Sequence, residues 1–259
     1  MAFDLQLGSA FPALRVRERE VRGEGRPATK TRILIATENL FVNLGYDATS
    51  LRAITTEAGV NLAAVNYHFG SKEELFALVL TQRLDGLNLE RVRLLDALES
   101  PSGKGFDSAH RVEQLIAVMF LPALRLARDS ERGGPSFLRF LGRAYADPSP
   151  FVRNLLAERY AAQNARFVQA FARALPDLDA QDLSMRLHFM LDAISSTLAS
   201  EDARKLMAAL IASAHTAKER PDEDVAVLGH LAPFLAGSLR ARADQPPQLK
   251  AIRAVVALL

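Results

Sequence analysis

The chain has 259 residues, 49% apolar by type and 24% charged, with a formal net charge of +2. That is enough apolar material to bury a sizeable core in one or two domains, which excludes a disordered chain. With no cysteine and five scattered histidines, a disulfide scaffold, a thiolate metal site and a cysteine nucleophile are excluded, and His110, His188, His215 and His230 read as satisfied or solvated side chains rather than zinc ligands.

Residues 1–28 carry Pro12, Gly23, Gly25 and Pro27 and read as a flexible basic leader. Arg15, Arg17, Arg19, Arg22 and Arg26 crowd the approach to the first helix together with Lys30 and Arg32. Such an arm can track phosphates, and its alternation of Arg with Glu fits a solvated leader equally well. Asp4 and the lack of a basic region ahead of apolar residues do not resemble a signal peptide, so a cytoplasmic protein is expected.

A first helix is predicted over 29–44, with Ile33, Ala36, Leu40, Phe41 and Leu44 on its apolar face and Gly45 as its stop. Residues 49–76 then read as a helix, a tight glycine turn, a short second helix and a capped third. Leu51, Ile54 and Ala58 recur at helical spacing, Gly59 breaks the helix, and Val60, Leu62 and Val65 continue the apolar side. Gly59 suits a left-handed helix end, Asn61 an N-cap, and Ser71 with Glu74 a capping box. This spacing predicts a helix-turn-helix, hence double-stranded DNA as partner; an ordinary helical corner in a bundle is the plainer reading.

A long helix follows from Lys72 to about Ser100, and Pro101 opens a loop. Apolar residues recur at helical spacing through 111–128, 136–146, 150–174, 180–199 and 203–215, with a last core helix near 222–243. No alternating strand pattern occurs, so the fold expected is all-α: an N-terminal helix-turn-helix unit (29–76), a helical ligand-binding and dimerisation domain (77–243), and a tail (244–259). The tail holds Pro246, Pro247 and the apolar AIRAVVALL, and either docks on the body or is a disordered extension. The charge-free run from Val225 to Leu239 contains Pro233 and is shorter than the ~20 residues a bilayer crossing needs, so no membrane partner is expected. No phosphate loop, nucleophile elbow, HExxH or persuasive carboxylate pair is present, so no enzyme and no cofactor is expected.

In a helix-turn-helix the N-terminal part of the recognition helix meets base edges in the major groove. Asn61, Leu62, Ala63 and Ala64 open that helix. Leu62, Ala63 and Ala64 are short or apolar and suit thymine methyls and sugar edges, while Asn66 offers both a donor and an acceptor. Val65 is expected in the core, and Leu62 on either side.

The run Val65-Asn66-Tyr67-His68-Phe69-Gly70-Ser71-Lys72-Glu73-Glu74-Leu75-Phe76 resembles the TetR family of bacterial regulators over residues 29 to about 76. The family commonly has Tyr-x-His-Phe where this chain has Tyr67-His68-Phe69, and alanine where Thr55 stands. The resemblance implies phosphate-side roles for Tyr67 and His68, for Lys72 at the positive end of the next helix, and for Thr49, Ser50 and Arg52 at the start of helix 2. The segments 136–160 and 183–200 are similar to PsrA-type members, which implies a long-chain fatty acid or acyl-CoA as effector and a repressor of lipid-metabolism genes. It also implies a homodimer on a palindromic operator, paired through the helices near 183–199 and 222–240.

Met119, Phe120, Phe137, Phe140, Leu141, Phe167, Phe171, Phe189 and Met190 are the candidate walls of a small hydrophobic effector's site, and Arg139, Arg143 or His188 its polar partner. The apolar positions read more readily as plain core, and the three polar residues read equally as surface or helix-cap groups. A drug-like or aromatic effector is the runner-up, and a helical lipid-binding protein that does not bind DNA is the rival class; the latter leaves Tyr67 to Lys72 without a reason.

Overall fold

A computed structural model describes residues 28–100, 108–129, 134–199, 223–241 and 246–257, together with residues 205 and 209. Among these every regular element is helical. The leader, the loop at 101–105 and the 203–215 segment of the sequence reading lie outside the described residues, apart from Ala28, Lys205 and Ala209.

α1 (Thr29–Leu44) buries Ile33, Ala36, Thr37 and Phe41, and the Thr37 hydroxyl donates to the Ile33 carbonyl at 2.7 Å. α2 (Leu51–Ala58) and α3 (Leu62–Phe69) pack on α1 and on each other. α4 (Lys72–Glu99) is a single 28-residue helix. After a 3₁₀ turn at Ser108–His110 come α5 (Arg111–Arg128), α6 (Pro135–Ala146), α7 (Pro150–Arg159), α8 (Ala161–Ala174), α9 (Ala180–Ala199), α10 (Glu223–Arg240) and α11 (Pro246–Val256).

Two apolar clusters form the core. The first joins α1, α2 and α3 to the N-terminal half of α4, and also takes in Ala123 and Leu126 of α5, Phe137, Phe140 and Leu141 of α6, and Val152 of α7. Phe41 meets Phe76 and Phe140 edge to face, with centroids 5.8 and 5.6 Å away, a favoured aromatic geometry. The helix-turn-helix is therefore not a separate ball: residue 76 lies inside a shared core. The second cluster is built by Leu95 and Leu98 of α4 with α5, α8, α9 and α10.

Polar contacts pin the helix-turn-helix to the α6–α7 corner. Buried Asp147 accepts from the Tyr46 backbone N–H at 3.1 Å and from the Ser149 N–H at 3.0 Å. Tyr46 stacks on Phe151 at 4.6 Å. Arg83 of α4 donates Nε to Glu38 of α1 at 2.9 Å while its guanidinium lies 6.0 Å from the Phe140 ring centroid.

Two expectations need correction. The 150–174 segment is not one helix but two, broken at Tyr160, whose backbone (φ −108°, ψ 17°) caps α7 and opens α8. The break lets buried Tyr160 and exposed Arg159 both reach Asp85 of α4: the Tyr160 hydroxyl donates to Oδ1 at 2.8 Å, and Arg159 donates from Nε to Oδ1 at 2.8 Å and from Nη2 to Oδ2 at 2.5 Å. Burial, then the Asp85 hydrogen bond, pushes the Tyr160 hydroxyl up, and the Arg159 hydrogen bond holds Asp85 low. The tail is not disordered but forms a helix, α11, and among its described residues Leu249, Ile252, Val255 and Val256 are exposed rather than docked. No helix among the described residues is long and apolar enough to cross a membrane.

Candidate nucleic-acid interface

Side-chain and backbone caps set the corner of the helix-turn-helix. Ser50 Oγ accepts from the Ala53 N–H at 3.1 Å and starts α2. Gly59 ends it at φ 63°, ψ 44°, the left-handed region that costs glycine little, and the Val60 N–H returns to the Thr55 carbonyl at 3.0 Å. Asn61 Oδ1 accepts from the Ala64 N–H at 2.9 Å and starts α3. Gly70 ends α3 at φ 76°, and a Cβ there would stand 2.1 Å from Glu74 Oε2. That carboxylate is occupied, since Ser71 and Glu74 complete the capping box at 2.8 and 3.1 Å, satisfying two donors that a helix start otherwise leaves open.

With these caps in place α3 divides cleanly. Val65 (0% exposed) and Phe69 (8%) turn inward. Asn61, Leu62, Ala63, Asn66, Tyr67 and His68 are exposed, Leu62 by 49% and Tyr67 by 85%. Leu62 is therefore on the outer surface, and Ala64 packs at the edge of the core. The outward face carries two amides, of which Asn61 already caps the helix through its Oδ1, one phenol and one imidazole among short apolar groups, a surface poor in hydrogen bonds to bases. The Tyr67 and His68 rings meet edge to face at 5.1 Å.

Ser50 and Arg52 are exposed beside this face, and Arg52 has no ion-pair partner among the described residues. Thr49 requires a correction: it is fully buried and its hydroxyl donates to the Gly45 carbonyl at 2.7 Å, so its side chain holds the turn before α2 and is closed off from a phosphate. Lys72 is tethered, donating from Nζ to the Tyr46 carbonyl at 2.9 Å and lying 4.0 Å from the Tyr46 ring centroid; its remaining N–H groups sit at the positive N-terminal end of α4. The Tyr46 hydroxyl bonds Glu73 at 3.0 Å. Burial first, and then that carboxylate, push the Tyr46 phenol up to about 12, while the backbone N–H at Glu73 and the Tyr46 hydroxyl hold Glu73 low. Tyr46 was not singled out in the sequence; its signal is its place directly after the Gly45 stop.

The expected effector contacts do not converge on one site. Phe137, Phe140 and Leu141 belong to the first cluster, beneath the helix-turn-helix. Met119, Phe120, Phe167, Phe171 and Met190 belong to the second. The polar partners are corrected. Arg139 donates to Asn43 Oδ1 at 3.2 Å and Arg143 to the Val42 carbonyl at 3.3 Å, both at the end of α1. His188 is exposed and sits 3.2 Å from Asp192, and Phe189 is 63% exposed. On α9 the inward positions are Leu183, Leu187 and Met190, which puts 188 and 189 outside by helical rotation. No cluster of three or more metal-binding side chains occurs among the described residues.

Residues 33–79 match the family described as bacterial regulatory proteins, tetR family. Residues 117–238 match the tetracyclin repressor-like C-terminal domain. The HTH-type transcriptional activator FasR of Mycolicibacterium smegmatis is 37% identical over 81 residues, which is 26% of this chain and 37% of that protein. The HTH-type transcriptional regulator SrpR of Pseudomonas putida is 37% identical over 92 residues, 30% of this chain and 43% of that protein. The matched stretch thus spans less than half of either relative. A solved transcriptional regulator from Rhodococcus sp. RHA1 is similar over 83% of this chain and all of its own, at 17% identity and a TM-score of 0.44. These relatives are transcriptional regulators, not enzymes. The two family matches together take in about two thirds of the sequence, at the two ends of one α4-linked body, and the chain belongs to the tetR family of DNA-binding transcriptional regulators.

Proposed function

We propose that this regulator is a cytoplasmic homodimer that holds a palindromic operator in its free form and releases it when a small hydrophobic effector, a long-chain fatty acid or its CoA thioester, binds the C-terminal body. The single observation that carries the DNA-binding half is the exposure of Leu62, Ala63, Asn66 and Tyr67 on α3 above a buried Val65 and Phe69. Dimerisation is supported by apolar side chains left exposed on α9 and α10: Met185 (48%), Phe189 (63%), Val225 (61%) and Phe234 (74%). Two copies pairing through these helices bury a face that a monomer leaves in water. The acyl reading is supported by the similarity of residues 136–160 and 183–200 to acyl-responsive members and by the wholly apolar second cluster, where each buried methylene contributes ~0.8 kcal/mol.

The effector acts only through its preference between two states of the dimer, and a full switch takes a preference of ~5 kcal/mol. An activator is the second reading, favoured by the similarity to FasR, which is named an activator. A gel-shift titration on the upstream intergenic DNA, with palmitoyl and oleoyl species free and thioesterified, tests the proposal. Specific binding released by one acyl species supports it. Specific binding indifferent to all of them removes the acyl effector, and acyl-dependent retention with higher transcription from a reporter favours the activator.

A further inference from the structure

The inward stripe of α4 reads Leu80, Leu84, Leu87, Arg91, Leu95, Leu98, at steps of three and four. The five leucines are 0–3% exposed and Arg91 is 8% exposed, so a guanidinium interrupts a row of buried leucines. It stands where the core divides: Leu87 belongs to the first apolar cluster and Leu95 to the second.

The same helix buries a second arginine, and the two differ in one respect. Arg83, 5% exposed, has the Glu38 carboxylate. Among the described residues Arg91 has only neutral partners. Its Nε donates to the Met119 carbonyl on α5 at 2.8 Å, and its Nη1 donates to Asn88 Oδ1 at 3.2 Å and to the Tyr145 hydroxyl of α6 at 2.9 Å. Its Nη2 has no acceptor among the described residues. Arginine cannot shed its charge at any accessible pH, and a buried charge is costly until an opposite charge joins it.

The neighbours hold the guanidinium ready for that charge. Asn88 is itself fixed by its Nδ2 donating to the Leu84 carbonyl at 3.0 Å, so it sets the plane of the fork. Tyr145 accepts from Arg91 and so keeps its own O–H to donate. A fork edge beside a phenolic O–H matches the two oxygens of a carboxylate. Met119 and Val118, packed partly buried against the second cluster, present hydrocarbon to whatever is attached to it.

We propose that Arg91, oriented by Asn88 and Tyr145, binds the carboxylate of an otherwise apolar monoanionic effector at the junction of the two apolar clusters. The inference rests on the ligand-responsive reading above and sharpens it. One cation without a carboxylate partner among the described residues matches one anionic charge, which selects the free acid over a thioester carrying several phosphate charges. None of the polar residues singled out in the sequence stands at this place.

The test is calorimetric titration of the full chain with straight-chain carboxylates from hexanoate to oleate, each beside the alcohol of equal length, and with oleoyl-CoA. The wild type binds at least one acid about tenfold or more tighter than its alcohol, Arg91→Gln binds the two alike, and Arg91→Lys keeps part of the preference. Arg91→Met raises the melting temperature of the ligand-free protein, because an apolar side chain relieves the unpaired charge; this also establishes that the position tolerates substitution. A wild type with no acid-over-alcohol preference anywhere in the series, or a preference that survives Arg91→Gln, overturns the proposal. A gel shift run in parallel separates the two readings. An acid held through Arg91 that leaves DNA retention unchanged supports the site and refutes ligand-responsive regulation, whereas DNA release by an acyl species that is indifferent to Arg91→Gln supports regulation and overturns the site.

Discussion

Asp147→Ala removes the contact that ties the α6–α7 corner to the helix-turn-helix. Its carboxylate accepts the Tyr46 N–H at 3.1 Å and the Ser149 N–H at 3.0 Å, and Asp147, Tyr46 and Ser149 are 3%, 7% and 1% exposed. Hydrogen bonds to a charged acceptor contribute about 1.5–3 kcal/mol each, and a buried donor left unpaired costs its desolvation. With partial re-satisfaction by water the loss is about 3 kcal/mol, which at this chain length lowers the melting temperature by roughly 6–12 °C. Asp147→Asn keeps one acceptor oxygen and turns an NH₂ toward the second donor, so it loses at least half as much. Urea unfolding monitored by circular dichroism, beside fluorescence anisotropy on a labelled duplex, measures both stability and DNA binding. The variant should also bind DNA more weakly at a given concentration, because Tyr46 holds Lys72 through its carbonyl. A loss under about 1 kcal/mol for Asp147→Ala, with unchanged DNA affinity, refutes the reasoning that this corner is a structural tie.

On α3, Leu62→Ala should change stability by less than about 0.5 kcal/mol while lowering operator affinity, whereas Val65→Ala, at a fully buried position, should cost about 2 kcal/mol by denaturation. Arg52→Gln and Tyr67→Phe should weaken binding to cognate and random duplexes alike, with the salt slope falling by about one for the lost cation, and Asn66→Ala should alter site preference instead; equal effects on both duplexes from all three contradict these roles. Glu113 of α5 is held low, chiefly by its hydrogen bond to Arg240 of α10, at 2.9 Å for the longer contact. A carboxylate depressed on folding stabilises above its unfolded value and ceases to as pH falls through its folded value. Wild-type stability should therefore decline below about pH 4.3, more steeply than that of Glu113→Gln, and parallel acid profiles from the two proteins exclude the pair as a contributor.

The local elements were legible because their causes are local. Gly45, Gly59, Asn61 and Ser71 with Glu74 act within one turn of chain, so the ends of α1 and α2 and the starts of α3 and α4 follow from capping chemistry and a 3.6-residue apolar period alone, whereas the Ser50 cap of α2 emerged only in the structure. The orientation of Val65 follows from the same period, as does the all-α class. Leu62 stood undecided because the period permits both sides, and only the packing of α3 against α1 and α2 put it outside.

What acts across the chain was not legible. Thr49 looks like a helix-start phosphate ligand until the α1–α2 turn folds its hydroxyl onto Gly45. Arg139, Arg143 and His188 are ordinary cations in sequence, and which one faces a carbonyl, a neighbouring carboxylate or the interior depends on the rotation of α6 and α9 about their axes. Arg91 shows the boundary most clearly. Its place in a leucine stripe is written in the sequence, but a buried arginine usually finds a carboxylate, and only the tertiary structure decides whether one arrives. Arg83 meets Glu38 because α1 crosses α4 there. Arg91 meets a carbonyl, an amide and a phenol because α5 and α6 bring no acid to that turn. Short-range hydrogen bonding and periodicity fixed the helices, and the packing of helices far apart in sequence determined which charges were left to be neutralised.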